Sequence, residues 1–531
     1  MIFSSEVPSE VADVCNAVSH SQPTFLDDLI ATRHYGLAVF DPTTTTSRDV
    51  KKFLREKATQ GAASTREAKR VTLAIVIDGQ DLDFASSSSA STVAELAEEL
   101  KRHPFKIAHF GFSPGFLYLD GLAEKFRLPR RETPRTAISP GSVAIGGNYL
   151  GIYSTETPGG WNVIGHTSAQ LFDAKRMPPI DLVPGDEVAF QIVDSLPDAR
   201  PDPSPSPRIT PFESNCRGTL RIESLQGVAL LEDLGRKMAG YWAVPRAGAL
   251  DVWAHRRANA LVGNREGLAT IEFSAARASL EVMSDCILVV TGAVRSISLD
   301  GHSIAREQTF FATSGSLCSI VTGDGGNYAY LGVAGGFCTD AIFASASHDV
   351  LAHLGSPQLA PGDLLMAGAP QRPPRDHIAA IARSPRVVRV TSGAHRGHFT
   401  TGEIDAFFHD EFVVSPLISR VGVRLQGQVL QRRARELAES QPLVTGAIQV
   451  PPSGEPIVML ADHPVTGGYP TIAVVTLADL DIIAQARPGD KLRFLAVSRE
   501  QALLALDARL KAEASILFGY RTYEELRSLG Y

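Results

Sequence analysis

Three times along this chain a Gly-Gly-aromatic step is followed by a Pro-Gly-Asp turn and then by an alternating apolar run. Trp161 precedes PGDEVAF at Pro184, Phe337 precedes PGDLL at Pro361, and Tyr469 precedes PGDKLRF at Pro488. Proline presets φ at such a turn, and glycine takes the positive φ that other residues avoid. The runs that follow alternate as half-buried strands do, with Val188 and Phe190 in the first and Leu492 and Phe494 in the last. Neither tripeptide means much alone, but their ordered recurrence predicts three copies of one β-rich unit. Short runs such as CILVVTGAV and YAYLGVAGGF, punctuated by glycine, point to barrels or sandwiches.

The segment PDARPDPSPSPRITP, residues 197–211, carries six prolines in fifteen residues. Such a run resists helix and removes ladder donors, so it reads as an extended linker between a smaller first half and a larger second half. Helices are fewer. STVAELAEELKRH places Val93, Leu96 and Leu100 on one face behind Ser91 or Thr92 as cap. ALDVWAHRRANALVGN runs to Gly263 as its C′ residue, and SREQALLALDARLKAEASILF opens on a capping box of Ser498 and Gln501. The first 58 residues read as a small α/β piece, with a strand at YGLAVFD and a helix at SRDVKKFLREKA.

Composition narrows the class. At 531 residues, 44% hydrophobic and 21% charged, the chain is an ordinary globular protein with room for several domains. A net charge of −7 with scattered basic residues offers no footprint for nucleic acid. No apolar run approaches the ~18 residues of a membrane span, and the N-terminus lacks a signal-peptide pattern. The five cysteines (Cys15, Cys216, Cys286, Cys318, Cys338) are odd in number and far apart, without a C-x-x-C pair. The expectation is therefore a cytoplasmic protein with reduced thiols, without a zinc site or a disulfide framework.

Familiar catalytic signatures are missing: no phosphate loop, no dinucleotide fingerprint and no H-E-x-x-H occurs. What remains is polar residues beside glycine turns. LPRRETPR offers Arg130, Arg131 and Arg135 between prolines, either as a stiffened clamp for a carboxylate or phosphate or as a solvated basic loop. SPGSVAIGG, with Ser142, is either an anion-binding nest or a simple hairpin. Asp462 and His463, just ahead of Thr466, Gly467, Gly468 and Tyr469, are an acid–base pair or a capped turn with a surface histidine. Gly159, Gly160 and Trp161 occupy the matching place in the first half, where Trp161, like Tyr469, is barrel-mouth packing or a stacking platform. His395 and His398 lack a nearby carboxylate in sequence, so no metal is expected.

Several long stretches resemble a known pair of families. GFSPGFLYLDGL, LPRRETPR, GSVAIGG, GIYSTETPGGWNVIGHT and PGDEVAF are similar to allophanate hydrolase subunit 1, also called the KipI family or the B subunit of 5-oxoprolinase. GRKMAGYWAVPRAGALDVWAHRRANALVGN and GAIQVPPSGEPIVMLADHPVTGGYP resemble subunit 2, the KipA family or the C subunit of 5-oxoprolinase. The chain thus looks like a fusion of the two, with modules similar to the carboxyltransferase domain of urea carboxylase.

The resemblance implies a mainly β fold with α+β parts: three cyclophilin-like β-barrel units and a small N-terminal α/β domain. The expected bounds are 1–88 for the α/β domain, 89–195 for the first barrel and 196–217 for the linker. Two further barrels follow at 218–383 and 384–497, and a helical extension at 498–531. It also implies a component of an ATP-dependent amide or lactam hydrolase, of the type that cleaves 5-oxoproline to glutamate, or of a urea-carboxylase-like carboxyltransferase. ATP would bind on, or be shared with, a LamB/YcsF-like partner subunit; carboxybiotin of a carrier protein would serve a carboxyltransferase; a homo-oligomer is left open. The substrate would lie between the halves, with Arg130 and Arg135 on its carboxylate, the Gly-Gly turns offering N–H groups, and Asp462 and His463 moving protons. The alternative is a regulatory module of KipI/KipA type acting on a sensor histidine kinase. Departures from the families' patterns include Pro464 and Val465 where many relatives have Gln and Thr, a loss of hydrogen-bonding groups that bears on substrate choice. Others are Ser419-Arg420-Val421-Gly422 for S-D-R-M-G, and Ala243-Val244-Pro245-Arg246-Ala247-Gly248 for G-V-P-x-S-G, with alanine in place of the first glycine and of the serine.

Overall fold

The computed structural model describes residues 1–62, 66–131, 133, 135–196, 216–377, 387–433, 439–515 and 517–518. Most of the proline-rich linker, residues 197–215, and the end of the helical extension lie outside the described residues. The fold is mainly β. Near the N-terminus, helices Pro8–Ser21 and Ser47–Ala62 accompany an antiparallel sheet of Ile2–Ser4, Tyr35–Phe40 and Leu26–Ala31. A seven-stranded sheet follows in the order Asn162–His166, Ser142–Gly146, Tyr149–Ile152, Leu117–Asp120, Phe105–Phe110, Glu187–Ile192, Arg70–Ile75. Its edge strand Arg70–Ile75 comes from the stretch assigned above to the N-terminal piece. After the linker, a ten-stranded sheet grows around the long antiparallel pair Arg217–Glu232 and Thr270–Val282. The last seven strands of the sequence's second half that form one sheet, from Val387–Ser392 to Lys491–Ala496, close into a barrel.

The three Pro-Gly-Asp turns share one local chemistry. Gly185, Gly362 and Gly489 have φ of 100°, 93° and 89°. In each, the aspartate accepts from the backbone N–H three residues earlier: Val183 to Asp186 at 2.9 Å, Ala360 to Asp363 at 2.8 Å, Arg487 to Asp490 at 2.7 Å. The strand arrangement around the turn recurs only in the first and last cases. There the following strand lies between a parallel and an antiparallel neighbour: Arg70–Ile75 and Phe105–Phe110 in one, Val387–Ser392 and Phe412–Ile418 in the other. Leu364–Ala367, after the middle turn, has two antiparallel neighbours.

The helix signals agree with the structure. Thr92, not Ser91, caps Val93–Arg102 in a reciprocal capping box with Glu95. Asp251 caps Val252–Leu261, and Gly263 beyond its end has φ +77°. Ser498 and Gln501 exchange hydrogen bonds ahead of Arg499–Ser515. The cysteine expectation is corrected: Cys216 and Cys338, separated by 122 residues, form a disulfide. Both flank Leu364–Ala367, which pairs with the start of Arg217–Glu232 and with Phe337–Cys338, a proximity that only the sheet creates. Cys15, Cys286 and Cys318 are free and buried, and burial pushes each thiol up to about 12.

The two halves share a core. Tyr241, Trp242 and Val244 join Leu26, Leu29, Ile107 and Leu117 in one buried cluster, which Val465 also enters. Gly240 donates to Asp28 Oδ1 at 2.8 Å, and a Cβ there would sit 2.7 Å from Ile30 and 2.8 Å from Asp28, so the close approach requires glycine. Among the described residues, no helix is long and apolar enough to cross a membrane.

Candidate functional site

Strand alternation divides the seven-stranded sheet into two faces. Leu117, Leu119, Val143, Ile145, Leu150 and Ile152 enter the shared core. Phe116, Tyr118, Ala144, Tyr149, Tyr153 and Trp161 make an aromatic cluster of their own. Strand Phe105–Phe110 should send 105, 107 and 109 the same way, but its register shifts between Ile107 and His109. The bulge therefore returns Phe110 to the core and turns His109 toward the aromatic rings.

Trp161 is packing. Its ring meets Phe116 and Tyr118 edge-on at 5.2 and 5.3 Å, and a Cβ on Gly146 or Gly151 would come within 2.6 Å of the indole. Gly159 likewise backs onto Tyr153, whose hydroxyl would lie 2.4 Å from an added Cβ, while the Gly160 carbonyl accepts from the Arg131 amide at 2.7 Å.

The last barrel covers this aromatic face. Oγ1 of Thr466 accepts from the Phe112 amide at 2.9 Å, and Ser440 and Thr466 lie beside the buried Tyr118 hydroxyl. The Tyr149 hydroxyl reaches Glu439 at 3.5 Å, and Arg33 and His34 flank the same carboxylate at 4.0 and 3.7 Å. Arg130 approaches Gly468: a Cβ on that glycine would lie 3.5 Å from Nη1. Arg130 is exposed, and among the described residues no carboxylate is paired with it. The seam thus brings together Arg130, Thr466 and Gly468 of the expected set. The carbonyl of Tyr469 accepts from Gln449 at 3.0 Å, its side chain is 36% exposed, and Gly467 packs on Leu443 and Gln449.

Other expected residues are engaged elsewhere. Arg135 grips Asp81 with both terminal nitrogens at 2.8 and 2.7 Å, and Arg131 adds a third bond at 2.7 Å. Burial alone would raise the Asp81 carboxyl, but Arg135 and the Val163 amide overcome it and hold the pKa below the usual range. Ser142 begins a hairpin strand: its amide bonds to Ser139, and those of Gly141 and Gly147 bond to Tyr153 and Leu128, so these N–H groups form a hairpin rather than an anion nest. Asp462 is fully buried and receives Arg420 through Nε at 2.9 Å and Nη2 at 3.0 Å. The same guanidinium contacts Glu272, Glu232 and the Gly248 carbonyl, tying the last barrel to the preceding sheet. His463 donates from Nδ1 to the Pro464 carbonyl at 2.8 Å, and burial lowers its pKa. His395 accepts at Nδ1 from the Thr471 amide and is pushed down to about 4 by burial and His398. Among the described residues, no cluster of three or more metal-ligating side chains occurs.

His109, Tyr118, Tyr149, Arg33, Glu439 and Ser440, which line the seam, and Asp81, which engages Arg135, are residues that the sequence reading does not single out. The alternation of Phe116 and Tyr118 with Leu117 and Leu119 is the available signal for the aromatic face; nothing local marks Glu439 or Asp81. Two cavities open elsewhere. One, of about 660 Å³, lies beside Asp13, Lys57 and Lys106; the other, of about 380 Å³, beside Trp253, Arg257 and Leu510. We place the candidate site at the seam because residues expected from both halves converge there.

Comparison with known proteins agrees with the two-part organisation. The carboxyltransferase domain, subdomain C and D, matches residues 2–182, and the carboxyltransferase domain, subdomain A and B, matches 242–496. The C subunit of 5-oxoprolinase from Haemophilus influenzae is 33% identical over 280 residues, covering 52% of this chain and 90% of that protein. The B subunit of 5-oxoprolinase from Escherichia coli O157:H7 is 43% identical over 112 residues, 21% of this chain and 51% of that protein. The crystal structure of TTHA0988 superposes with a TM-score of 0.83 at 29% identity, covering 93% of this chain and 99% of that one.

Proposed function

Because this chain belongs to the carboxyltransferase-domain family, with the C/D and A/B parts fused in one polypeptide, we propose that it is a component of a 5-oxoprolinase-type amide hydrolase. Its substrate is a small amide or lactam bearing a carboxylate, bound at the seam between the halves. The observation that carries this reading is the approach of Arg130 to Gly468, which sets an exposed guanidinium beside a glycine turn from the other half. A guanidinium and a nearby backbone N–H suit a carboxylate. Tyr118 and Thr466 then line the approach to the amide.

An unstrained lactam opens only when its carbonyl is activated, and ATP supplies that activation in this type of enzyme. The nucleotide site belongs on, or is shared with, a LamB/YcsF-like partner subunit. If the reaction is instead a carboxyl transfer, carboxybiotin arrives on a carrier protein. In either case the residues of this chain orient the substrate and exclude water. We assign Asp462 a positioning role, holding the Asp462–Thr466 segment through Arg420. His463 retains the proton-transfer role: with Nδ1–H committed to Pro464, its neutral ring leaves Nε2 as acceptor.

The test is 5-oxoproline-dependent ATP hydrolysis with glutamate release, by the full chain with and without the LamB/YcsF-like protein. Turnover with the partner present, lost in Arg130→Ala, supports the reading. A complex that forms but releases no glutamate refutes 5-oxoproline as substrate. Failure to form a complex refutes the partner and favours a regulatory module.

A further inference from the structure

His109 sits at the bottom of the seam and is 2% exposed. Its ring stacks on Tyr118 at 4.2 Å with 18° between planes and meets Tyr149 edge-on at 5.9 Å. Both ring nitrogens are buried, and neither has a hydrogen-bond partner. Leaving a buried polar group unsatisfied costs roughly 1–3 kcal/mol, so a native fold keeps one only where something else completes it.

The neighbouring glycine shows how closely the two halves meet beside this ring. A Cβ on Gly111 would lie 2.9 Å from Thr466 Oγ1, 3.0 Å from Tyr118 Cε2 and 3.3 Å from His109 Cδ2. The threonine of one half and the two rings of the other therefore meet around Gly111, where even a methyl group would crowd them. Gly111 is not in the left-handed region, so backbone conformation does not demand glycine there. Burial, with a smaller contribution from Arg33, pushes the His109 imidazole down to about 3, so the ring is neutral.

We propose that His109 is the amide-recognition residue of the site, donating one ring N–H to the carbonyl oxygen of a neutral amide or lactam whose carboxylate lies toward Arg130. This assignment rests on the substrate class proposed above and adds the residue that selects for it. A neutral ring offers one donor and one acceptor, matching an amide. The division of labour is that Arg130 takes the charge and His109 takes the amide.

The test is titration calorimetry of the full chain with two probes: 5-oxoproline, and cyclopentanecarboxylate, which keeps the ring size and the carboxylate but lacks the amide. The wild type is expected to favour 5-oxoproline by roughly tenfold or more, the size of one buried hydrogen bond. His109→Phe, which keeps a planar ring but no nitrogen, should bring that ratio to about one to two, and His109→Gln should keep part of it. Arg130→Ala should weaken both probes by the same factor and leave the ratio intact. A wild-type ratio in His109→Phe overturns the assignment while leaving the substrate class standing, as long as Arg130→Ala still weakens both probes. Wild-type protein that binds neither probe overturns both readings. If His109→Phe and His109→Gln both fail to fold, His109 is structural and the assignment falls.

Discussion

Oγ1 of Thr466 accepts a hydrogen bond from the backbone N–H of Phe112 at 2.9 Å, joining residues 354 positions apart. Replacing Thr466 with valine keeps the shape and removes the acceptor, leaving the Phe112 amide unpaired in the seam. The expected loss is about 1–3 kcal/mol in urea unfolding, with Thr466→Ser close to wild type. Equal stability of the valine variant would mean that water satisfies this amide.

Arg130 and Arg135 lie five residues apart and are expected to behave oppositely. Arg135→Ala leaves the buried Asp81 carboxylate with fewer partners and should lower stability by about 1–3 kcal/mol. Arg130→Ala should change stability little and weaken carboxylate binding instead. Denaturant titration beside ligand titration separates the two, and matching effects in both assays would undo the distinction.

That difference marks the boundary of what a sequence makes legible. Pro-Gly-Asp turns, the Thr92–Glu95 capping box and the Ser498–Gln501 pair are local, so the groups that satisfy them lie within a few residues. LPRRETPR shows that guanidinium groups are concentrated and stiffened; it cannot show that Asp81, some fifty positions earlier, claims Arg135. His109 is hidden for a related reason: its side of the strand depends on a bulge opposite Leu119 and Tyr118, a property of the pairing rather than of the run itself. Asp462 stands out in the sequence, but Arg420 and Glu272, which account for its burial, come from other strands and their flanks.

Asp28 gives a pH signature. Burial pushes its carboxyl from the usual 3.8 up to about 6, against the pull of hydrogen bonds from Gly240 and Leu29. The folded state then binds this proton more tightly than the unfolded state. Its stabilising contribution is complete below pH ~4 and is lost as pH rises to ~6, by about 3 kcal/mol in all. Asp28→Asn should flatten that part of the stability–pH curve, measured by denaturant unfolding between pH 4 and 7. An unchanged slope would show that other groups govern it.

The Cys216–Cys338 bridge predicts a thiol count of three in the unreduced, denatured protein and five after reduction. Closing so long a loop is worth up to about 4–5 kcal/mol by the chain-entropy argument. Cys338→Ser should therefore unfold at lower denaturant than wild type under oxidising conditions and match it under reducing ones. Five titratable thiols without reductant would remove the bridge.

The seating of Tyr241 and Trp242 in the core of the first half has a consequence for the growing chain. Those side chains belong to a segment translated after the linker, so the first half leaves the ribosome with their seat vacant. At roughly 5–20 residues per second, the interval before residue 244 emerges lasts on the order of several seconds. During that time the apolar floor around Leu26, Leu29 and Ile107 faces the crowded surroundings of the nascent chain, and it is then that a chaperone or a misplaced neighbour competes with the protein's own second half.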